Sequence, residues 1–185
     1  FIGGKLNKRG HPLKVNESEK HIFGFVLLND WSARDIQVWE YVPLGPFNAK
    51  NFSTTISPWI VTAEALKIFT IELPVQDPVP MEYLREKDHT SFDLEFDVIL
   101  NTENSSTLLS KSNFKYLYWS VAQQLTHHSV TGCNMNAGDL LGSGTISGTT
   151  KDSYGSMLEL SWSGKEPITL TNGEQRTFLN NGDEI

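Results

Sequence analysis

A run of polar side chains in residues 29–41 (NDWSARDIQVWEY) has the residue types of a catalytic site. Steps of four, three and four residues separate its members, which are Asp30, Arg34, Gln37 and Tyr41. We predict a helix that begins at Asp30, because at about 100° per residue these side chains then share one narrow face. The rest of the circumference is largely apolar or aromatic, and we expect those side chains to anchor the helix.

These polar groups could bind a charged ligand or stabilise a charge that develops during a reaction. Asp30 could ligate a hard cation, because carboxylate oxygens suit such metals. Arg34 and Gln37 supply N–H donors that could hold an oxyanion. Lys50 and Thr54 follow a short distance along the chain. We predict that Asp30, Arg34, Gln37 and Lys50 converge on one cavity. Residue chemistry alone leaves two readings open, a functional site and a solvated helix face with one Asp–Arg pair.

Other candidate groups carry a weaker signal. The glycine-rich residues 138–148 (GDLLGSGTISG) include Thr145 and could approach a ligand closely or simply form turns. Glu159 shows no partner in the sequence and could be an ordinary solvent-facing strand residue. His127 and His128 diverge by about 100° on a helix, so we do not expect them to share one metal.

The composition is that of an ordinary globular domain. Of 185 residues, 38% are hydrophobic and 20% are charged, which is enough for one core. The net charge of −7 argues against nucleic acid and anionic membranes as partners. No apolar run approaches the roughly 20 residues that span a bilayer. The single cysteine, Cys133, excludes an internal disulfide and favours a reducing compartment, and we expect it to be a small buried side chain.

The hydrophobic pattern predicts a β-dominated α+β domain with few helices. Short strands are predicted at residues 21–28, 53–66 with a break near Pro58, 92–100, 139–143, 157–162, 167–171 and 175–179. The strand at residues 92–100 alternates apolar and acidic side chains, so we expect it to be half-exposed and remote from the chemistry. Turns at Ser163-Gly164 and Asn172-Gly173 are predicted to join hairpins.

One long helix is predicted at residues 113–128, where Ser112 could cap it and apolar residues recur at helical spacing. Prolines and glycine predict a loop at residues 41–50 and an irregular segment at residues 73–80. The chain starts FIGGK, and almost nothing follows the Asn181-Gly182 turn signal near its end. We therefore expect it to be a piece of a longer protein.

The stretch NDWSARDIQVWEYVPLGPFNAKNFSTTISPWIV (residues 29–61) resembles the core motif of the fumarylacetoacetase family. The resemblance continues through SNFKYLYWSVAQQLTHHSVTGCN, GDLLGSGTISG, YGSMLELSW and RTFLNNGDE, and only residues 73–110 are less distinctive. A wider superfamily of acylpyruvate hydrolases, decarboxylases and isomerases shares the N-D-x-S-A-R-D-x-Q core. The segments WEYVPLGPF, TTISPW and LTHHS are similar to the fumarylacetoacetase family in particular.

The resemblance implies a mixed β-sandwich roll, the fold of the family's C-terminal domain. It implies hydrolysis of a carbon–carbon bond in a 1,3-diketo acid, fumarylacetoacetate, to fumarate and acetoacetate at the end of tyrosine and phenylalanine catabolism. It also implies Ca²⁺ or Mg²⁺ as cofactor and a cytoplasmic homodimer. The alternatives are another superfamily enzyme, such as an acylpyruvate hydrolase or a decarboxylase, and a non-catalytic scaffold.

The resemblance also implies roles for individual residues. Asp30 matches a metal ligand, while Lys50 and Thr54 match a nearby second cation site. Substrate-binding positions are matched by Gln37, Tyr41 and Thr145. Charge on the departing acetoacetate carbanion would be held by Arg34, Gln37 and Lys50. Glu159 matches the carboxylate that orients the family's catalytic histidine.

Part of the family pattern is missing from these 185 residues. The catalytic histidine and three acidic metal ligands of the family match positions before Phe1, and none of the five histidines of this chain corresponds to the catalytic one. We expect residues 1–185 to be a single catalytic-domain fragment that lacks the family's N-terminal domain and the end of its C-terminal part. Alone, it should be inactive and bind metal weakly, because a hard cation prefers six or more oxygens and several anionic ones.

Overall fold

Short strands and short helices alternate along the chain in the computed structural model, which describes residues 1–5 and 7–185. The strands are β1 (Ile2–Gly3), β2 (Ile22–Phe25), β3 (Leu28–Asp30), β4 (Thr54–Ile56), β5 (Val61–Thr62), β6 (Thr70–Glu72), β7 (Thr90–Phe92), β8 (Glu95–Asn101), β9 (Ser106–Asn113), β10 (Ile168–Thr169) and β11 (Gln175–Arg176). The α-helices are α1 (Val15–Ser18), α2 (Arg34–Glu40), α3 (Asn48–Asn51), α4 (Ala63–Leu66), α5 (Val121–Ser129) and α6 (Met157–Leu160).

The strands pair in small antiparallel sheets. One sheet has the order β1-β2-β5, and the others are the pairs β3-β4, β6-β7, β8-β9 and β10-β11. The strands of the described residues do not close into a barrel. The chain is therefore a mixed α/β domain, which agrees with the predicted combination of strands and helices at this coarser level.

The longest ladder joins β8 and β9, from Glu95 opposite Asn113 to Asn101 opposite Ser106. Its side chains alternate, so that Glu95 and Asp97 are exposed while Leu100 on the other face is fully buried. The half-exposed strand predicted at residues 92–100 is confirmed, although the chain divides it between β7 and β8. Beneath the ladder lies a core cluster of Leu100, Leu109, Leu160 and Leu170.

A second core cluster surrounds α5 and contains Phe1, Ile22, Val121, Leu125 and Met135. The ring of Phe25 packs beside it, edge-on to Phe92 with the ring centroids 5.4 Å apart. The two core clusters hold different parts of the molecule: this one holds the N-terminal strands, and the other holds β8, β9 and α6.

The helix predicted at residues 113–128 begins eight residues later than expected. Ser120 caps α5 through the N–H of Gln123, whose side chain accepts the N–H of Ser120 in return. Ser112 cannot cap a helix, because it lies in β9 opposite Phe96 and its hydroxyl donates to the carbonyl of Ile146 at 2.6 Å. In this segment, the predicted cap and the first residue of the predicted helix therefore pair with β8 in spite of the helical spacing.

The helix predicted to begin at Asp30 is also wrong at its start. Asp30 ends β3 and pairs with Thr54 of β4, and α2 begins only at Arg34. The apolar side chains of α2 do not anchor it as expected: Trp39 is 87% exposed and Val38 is 74% exposed. Packing against a core thus does not hold α2.

Residues 157–162 contain α6 (Met157–Leu160) and the turn after it rather than the predicted strand. Ser156 accepts the N–H of Glu159 and caps α6, which satisfies one of the N–H groups that a strand would place elsewhere. Trp162, Ser163 and Gly164 have positive φ angles and end this helix instead of turning a hairpin. The Asn172-Gly173 turn is confirmed, since it joins β10 to β11.

The remaining predictions hold in part. Residues 73–80 are irregular as expected, and residues 53–66 contain β4 and β5 before α4 begins at Ala63. Residues 21–28 contain β2 and the first residue of β3, but Phe23 and Leu27 are exposed, so this segment is not fully buried. The predicted loop at residues 41–50 contains the start of α3. Residues 139–143 contribute one isolated bridge, from Leu140 to Ile2.

Candidate active site

A polar cluster forms where β3, β4 and α3 meet. The amine of Lys50 donates to Asp30 Oδ2 at 2.8 Å and to Ser32 Oγ at 2.6 Å. The hydroxyl of Ser32 donates in turn to the carbonyl of Asp30 at 3.0 Å. We call Asp30, Ser32 and Lys50 the Lys50 cluster, and Thr54 lies beside it because β4 places Thr54 directly opposite Asp30.

A second pair lies on α2. Arg34 Nη1 donates to Gln37 Oε1 at 3.0 Å, which leaves other guanidinium N–H groups and the amide N–H groups of Gln37 available to a ligand. Tyr41 follows the end of α2 and is 48% exposed. No hydrogen bond between described residues joins this pair to the Lys50 cluster. Their convergence on one cavity stays a prediction.

Glu40 links the two elements that carry these groups. Its carboxylate accepts N–H groups from Phe47, Asn48 and Ala49 at the start of α3. The hydrogen bonds from Ala49, Phe47 and Asn48 lower the pKa of the Glu40 carboxyl, because they favour its charged form. These three N–H groups thus stabilise the charged form of the carboxylate at the end of α2.

The third polar group surrounds Glu159 on α6. Glu159 Oε2 accepts the hydroxyls of Ser147 at 2.9 Å and of Ser156 at 2.7 Å. We call Ser147, Ser156 and Glu159 the Glu159 cluster. Thr145 lies near it, because both are close to Gly155. The N–H of Gly155 donates to Ser147 Oγ at 3.0 Å, and a Cβ added to Gly155 would stand 2.9 Å from Thr145 Cγ2. Glycine at position 155 is what allows the glycine-rich segment to pack this closely.

Sequence reasoning missed Ser32, Glu40, Ser147 and Ser156. Ser156 and Glu159 form an S-x-x-E pattern, which is the signature of a helix start and could have identified both α6 and the partner of Glu159. Glu40 could have been noticed as an acidic residue at the wrong end of a helix for the macrodipole. Nothing in the sequence could have indicated the long-range contact of Ser147.

The described residues fit one edge of a cation site and not a complete one. Asp30 offers a carboxylate and Thr54 a hydroxyl, but the Lys50 amine occupies one carboxylate oxygen. Across residues 1–5 and 7–185, no group of three or more His, Cys, Asp or Glu side chains could hold a metal ion. A hard divalent ion would need further oxygens, several of them anionic, beyond this set.

A polar depression of about 230 Å³ lies over the β8-β9 ladder and is lined by Glu95, Asp97, Lys111, Lys115 and other polar residues. Asp93, just outside β8, pairs with Lys115 at 3.0 Å. The hydrogen bonds from Lys115 and Asn113 lower the pKa of the Asp93 carboxyl. None of the residues predicted for the site lines this depression.

Three of the histidines have side-chain partners outside the polar groups described above. His127 Nδ1 pairs with the Tyr83 hydroxyl at 2.8 Å, and His89 Nδ1 pairs with Glu86 at 2.7 Å. His128 lies 3.6 Å from Cys133 Sγ. Cys133 is exposed, so the expectation of a buried thiol is wrong. Its segment, residues 131–134, lies at the surface beyond the end of α5.

None of the helices in the part of the chain that the structure describes has the length and apolar character needed to cross a bilayer.

Comparison with known proteins agrees with the resemblance seen in the motifs. The family described as fumarylacetoacetate (FAA) hydrolase C-terminal matches residues 2–185. Over all of this chain, the fumarylacetoacetase of Dictyostelium discoideum is 58% identical, and those of Homo sapiens and Arabidopsis thaliana are 54% identical. The chain spans only 44%, 45% and 44% of these three relatives, respectively. The chain therefore belongs to the family of fumarylacetoacetate hydrolase C-terminal domains.

Proposed function

We propose that this chain is the catalytic-domain part of an enzyme that hydrolyses fumarylacetoacetate to fumarate and acetoacetate. The observation that carries the proposal is the Lys50 cluster with Thr54 beside it, because β3, β4 and α3 bring Asp30, Lys50 and Thr54 close together from separate parts of the chain. The relatives named fumarylacetoacetase support it, since they match over the whole chain. The family's sandwich-roll fold is part of the same proposal.

The chemistry requires a carbanion to be stabilised. Hydrolytic cleavage of a 1,3-diketone releases one half as an enolate, so fixed donors are needed where that negative charge develops. Arg34, Gln37 and Lys50 are assigned this role, because each presents N–H donors on α2 or α3. Gln37, Tyr41 and Thr145 would orient the substrate.

Glu159 would orient and stabilise the general base. Ser147 and Ser156 both bond to Oε2, which leaves Oε1 free of hydrogen bonds to the described residues. A carboxylate in this state can accept the N–H of an imidazole and stabilise the imidazolium that forms when water is deprotonated. We do not assign the base to His127 or His128, because neither contacts Glu159.

A cation is also part of the proposal. Asp30 and Thr54, with Lys50 beside them, would lie at the edge of a Ca²⁺ or Mg²⁺ site whose remaining carboxylates come from outside these residues. Such an ion would bind and polarise the oxygens of the diketo acid. Residues 1–185 alone should bind either ion only at millimolar or weaker affinity, because one carboxylate cannot compensate for dehydrating it.

The assembly and location complete the proposal. A cytoplasmic homodimer fits the many exposed apolar side chains, among them Trp39, Leu44 and Trp59. The single cysteine fits a reducing compartment. Sedimentation of the full-length protein tests the dimer, and a sedimenting mass of one chain would contradict it.

The test of the function is an assay of the full-length protein with fumarylacetoacetate. Fumarate and acetoacetate should appear in equal amounts, and activity should disappear on chelation and return with Ca²⁺ or Mg²⁺. Residues 1–185 assayed in parallel should release no fumarate. Release of carbon dioxide instead would indicate a decarboxylase, while turnover by residues 1–185 alone would show that the site is complete here.

A further inference from the structure

Glu40 occupies a position that helix electrostatics alone disfavours. It is the last residue of α2, where the macrodipole places partial negative charge, and the last turn of α2 contains no basic residue. The macrodipole disfavours a carboxylate at this end, and hydrogen-bond donors can compensate for that. The donors here are backbone N–H groups from the next helix.

The carboxylate of Glu40 meets three consecutive N–H groups. Oε1 accepts from Phe47 at 2.7 Å and from Ala49 at 2.9 Å, and Oε2 accepts from Asn48 at 3.3 Å. These N–H groups open α3 and have no partner within a helix. Phe47, the residue before α3, makes no side-chain cap of its own. Glu40 therefore caps α3 from seven residues earlier in the chain.

Little else holds α3 in place. It has only four residues, and helices of this length are not stable without external contacts. The flanking Phe47 and Phe52 are 52% and 58% exposed, so they add little packing. Ala49 is fully buried and its carbonyl accepts the N–H of Ala33 at 2.9 Å. Directional hydrogen bonds, more than apolar burial, set the position of α3.

Lys50 follows Ala49 on α3 and depends on that position. Its amine reaches Asp30 and Ser32 at 2.8 Å and 2.6 Å, so a shift of α3 by about 1 Å would lengthen both hydrogen bonds beyond their normal range. Glu40 itself belongs to α2, which carries Arg34 and Gln37. One side chain thus connects the helix with two of the proposed donors to the helix with the third.

We propose that Glu40 is a positioning residue, which holds Lys50 against Asp30 and Ser32 by binding the first N–H groups of α3. This inference rests on the proposed function, in which Lys50 stabilises the departing carbanion. Glu40 acts through α3 and does not touch the substrate. Its contribution should therefore appear in the rate of the chemical step rather than in substrate binding.

The test is Glu40→Gln in the full-length protein. Glutamine keeps the size of the side chain but loses the charge, and its NH₂ group cannot accept an N–H donor. We expect kcat to fall by about tenfold or more while KM changes by less than about threefold. A second readout is the rate at which trinitrobenzenesulfonate labels the Lys50 amine, measured by peptide mass spectrometry. This rate should rise in Glu40→Gln, because Lys50 is released from Asp30 and Ser32.

The matched control is Glu64→Gln. Glu64 lies on α4, another four-residue helix, and pairs with the exposed Lys67. This change should leave kcat and the labelling of Lys50 as they are in the unchanged protein. Circular dichroism establishes that each variant is folded. If Glu40→Gln does not fold, Glu40→Asp keeps the charge on a side chain one methylene shorter, and the same two shifts are expected.

The outcomes separate this inference from the proposed function. A folded Glu40→Gln protein with unchanged kcat and unchanged Lys50 labelling overturns the positioning role. Faster labelling with unchanged kcat upholds the placement of Lys50 by Glu40 and removes the catalytic role given to Lys50. If neither variant folds, rapid hydrogen exchange at the amides of Phe47 and Ala49 in the unchanged protein overturns the inference, and slow exchange upholds it.

Discussion

The Lys50 cluster and the Glu159 cluster are held in place by different physical means. The Lys50 cluster joins the end of β3 to α3, beside α2, a helix with no buried side chain. Hydrogen bonds from Lys50 to Asp30 and Ser32 set its geometry, and Glu40 binds the start of α3. The Glu159 cluster is built around α6, which carries Glu159 and whose Leu160 belongs to the core beneath the β8-β9 ladder. Directional bonds define the first cluster, whereas packing and hydroxyl groups together define the second.

Because of this difference, the substitutions that lower stability most should not be the ones that lower turnover most. Burial of apolar area contributes most of the folding free energy, and exposed polar contacts contribute little. Substitutions around the Lys50 cluster should therefore affect turnover more than stability. Substitutions beneath the Glu159 cluster should affect stability first, because α6 cannot keep its position when the core is weakened.

The largest expected effect on stability comes from Leu100→Ala. Leu100 is fully buried, so its truncation should lower the free energy of unfolding by about 2–5 kcal/mol, through lost burial and a cavity. Val38→Ala on α2 should change it by less than about 0.5 kcal/mol, since Val38 is 74% exposed. Urea unfolding measures both. A loss above about 1 kcal/mol for Val38→Ala would contradict this comparison, because it would show that the apolar side chains of α2 are buried in the full-length protein.

Arg34→Ala and Lys50→Ala should have the largest effect on catalysis. Under the proposed function, each should lower kcat of the full-length enzyme by about 10²-fold or more, because each removes a proposed donor to the developing carbanion. Urea midpoints should hardly move, since the Lys50–Asp30 pair is partly exposed. The double variant Glu95→Gln, Asp97→Asn serves as control and should keep turnover and metal dependence unchanged. Turnover within about threefold of the unchanged enzyme for both alanine variants would remove the role.

Ser156→Ala should have smaller effects on both stability and catalysis. Alanine removes the cap of α6, which costs about 1 kcal/mol of stability, and it also removes one donor to Glu159. We expect a decrease in kcat of about three- to tenfold, because Ser147 still holds the carboxylate. Ser156→Thr retains the hydroxyl and should restore both values. If threonine fails to restore kcat, the cap of α6 and the orientation of Glu159 are separate contributions of Ser156.

The smallest predicted effect concerns the acid dependence of stability near the chain end. Hydrogen bonds from Arg176 lower the pKa of the Asp183 carboxyl, which is nearly inaccessible to solvent. The stability from this pair is therefore present above the unfolded pKa, about 3.9, and is lost as the pH falls through the lower folded pKa. Asp183→Asn should be less stable at pH 7 and lose less stability on acidification. Parallel urea titrations at pH 7 and pH 3 measure this, and equal acid losses in the two proteins would contradict it.

Local chemistry in the sequence was sufficient for several elements. The Asn172-Gly173 turn, the proline-containing irregular segment at residues 73–80 and the alternation of β8 were predictable, because each depends on neighbouring residues. The starts of α5 and α6 were predictable in principle, since Ser120 and Ser156 each precede a Gln or Glu by three positions. Helical periodicity placed the start of α5 too early, and the alternation of residues 157–162 predicted a strand where α6 forms.

The sequence by itself determined the residue types of the site and the family they belong to, because motif and composition are properties of the chain alone. Only the tertiary structure decided that Asp30 lies on a strand opposite Thr54, that Glu40 caps α3, and that Ser147 reaches Glu159. The physical reason is that strand pairing and long-range hydrogen bonds depend on which distant segments the fold brings together. Periodicity within one segment carries no information about partners that lie elsewhere in the chain.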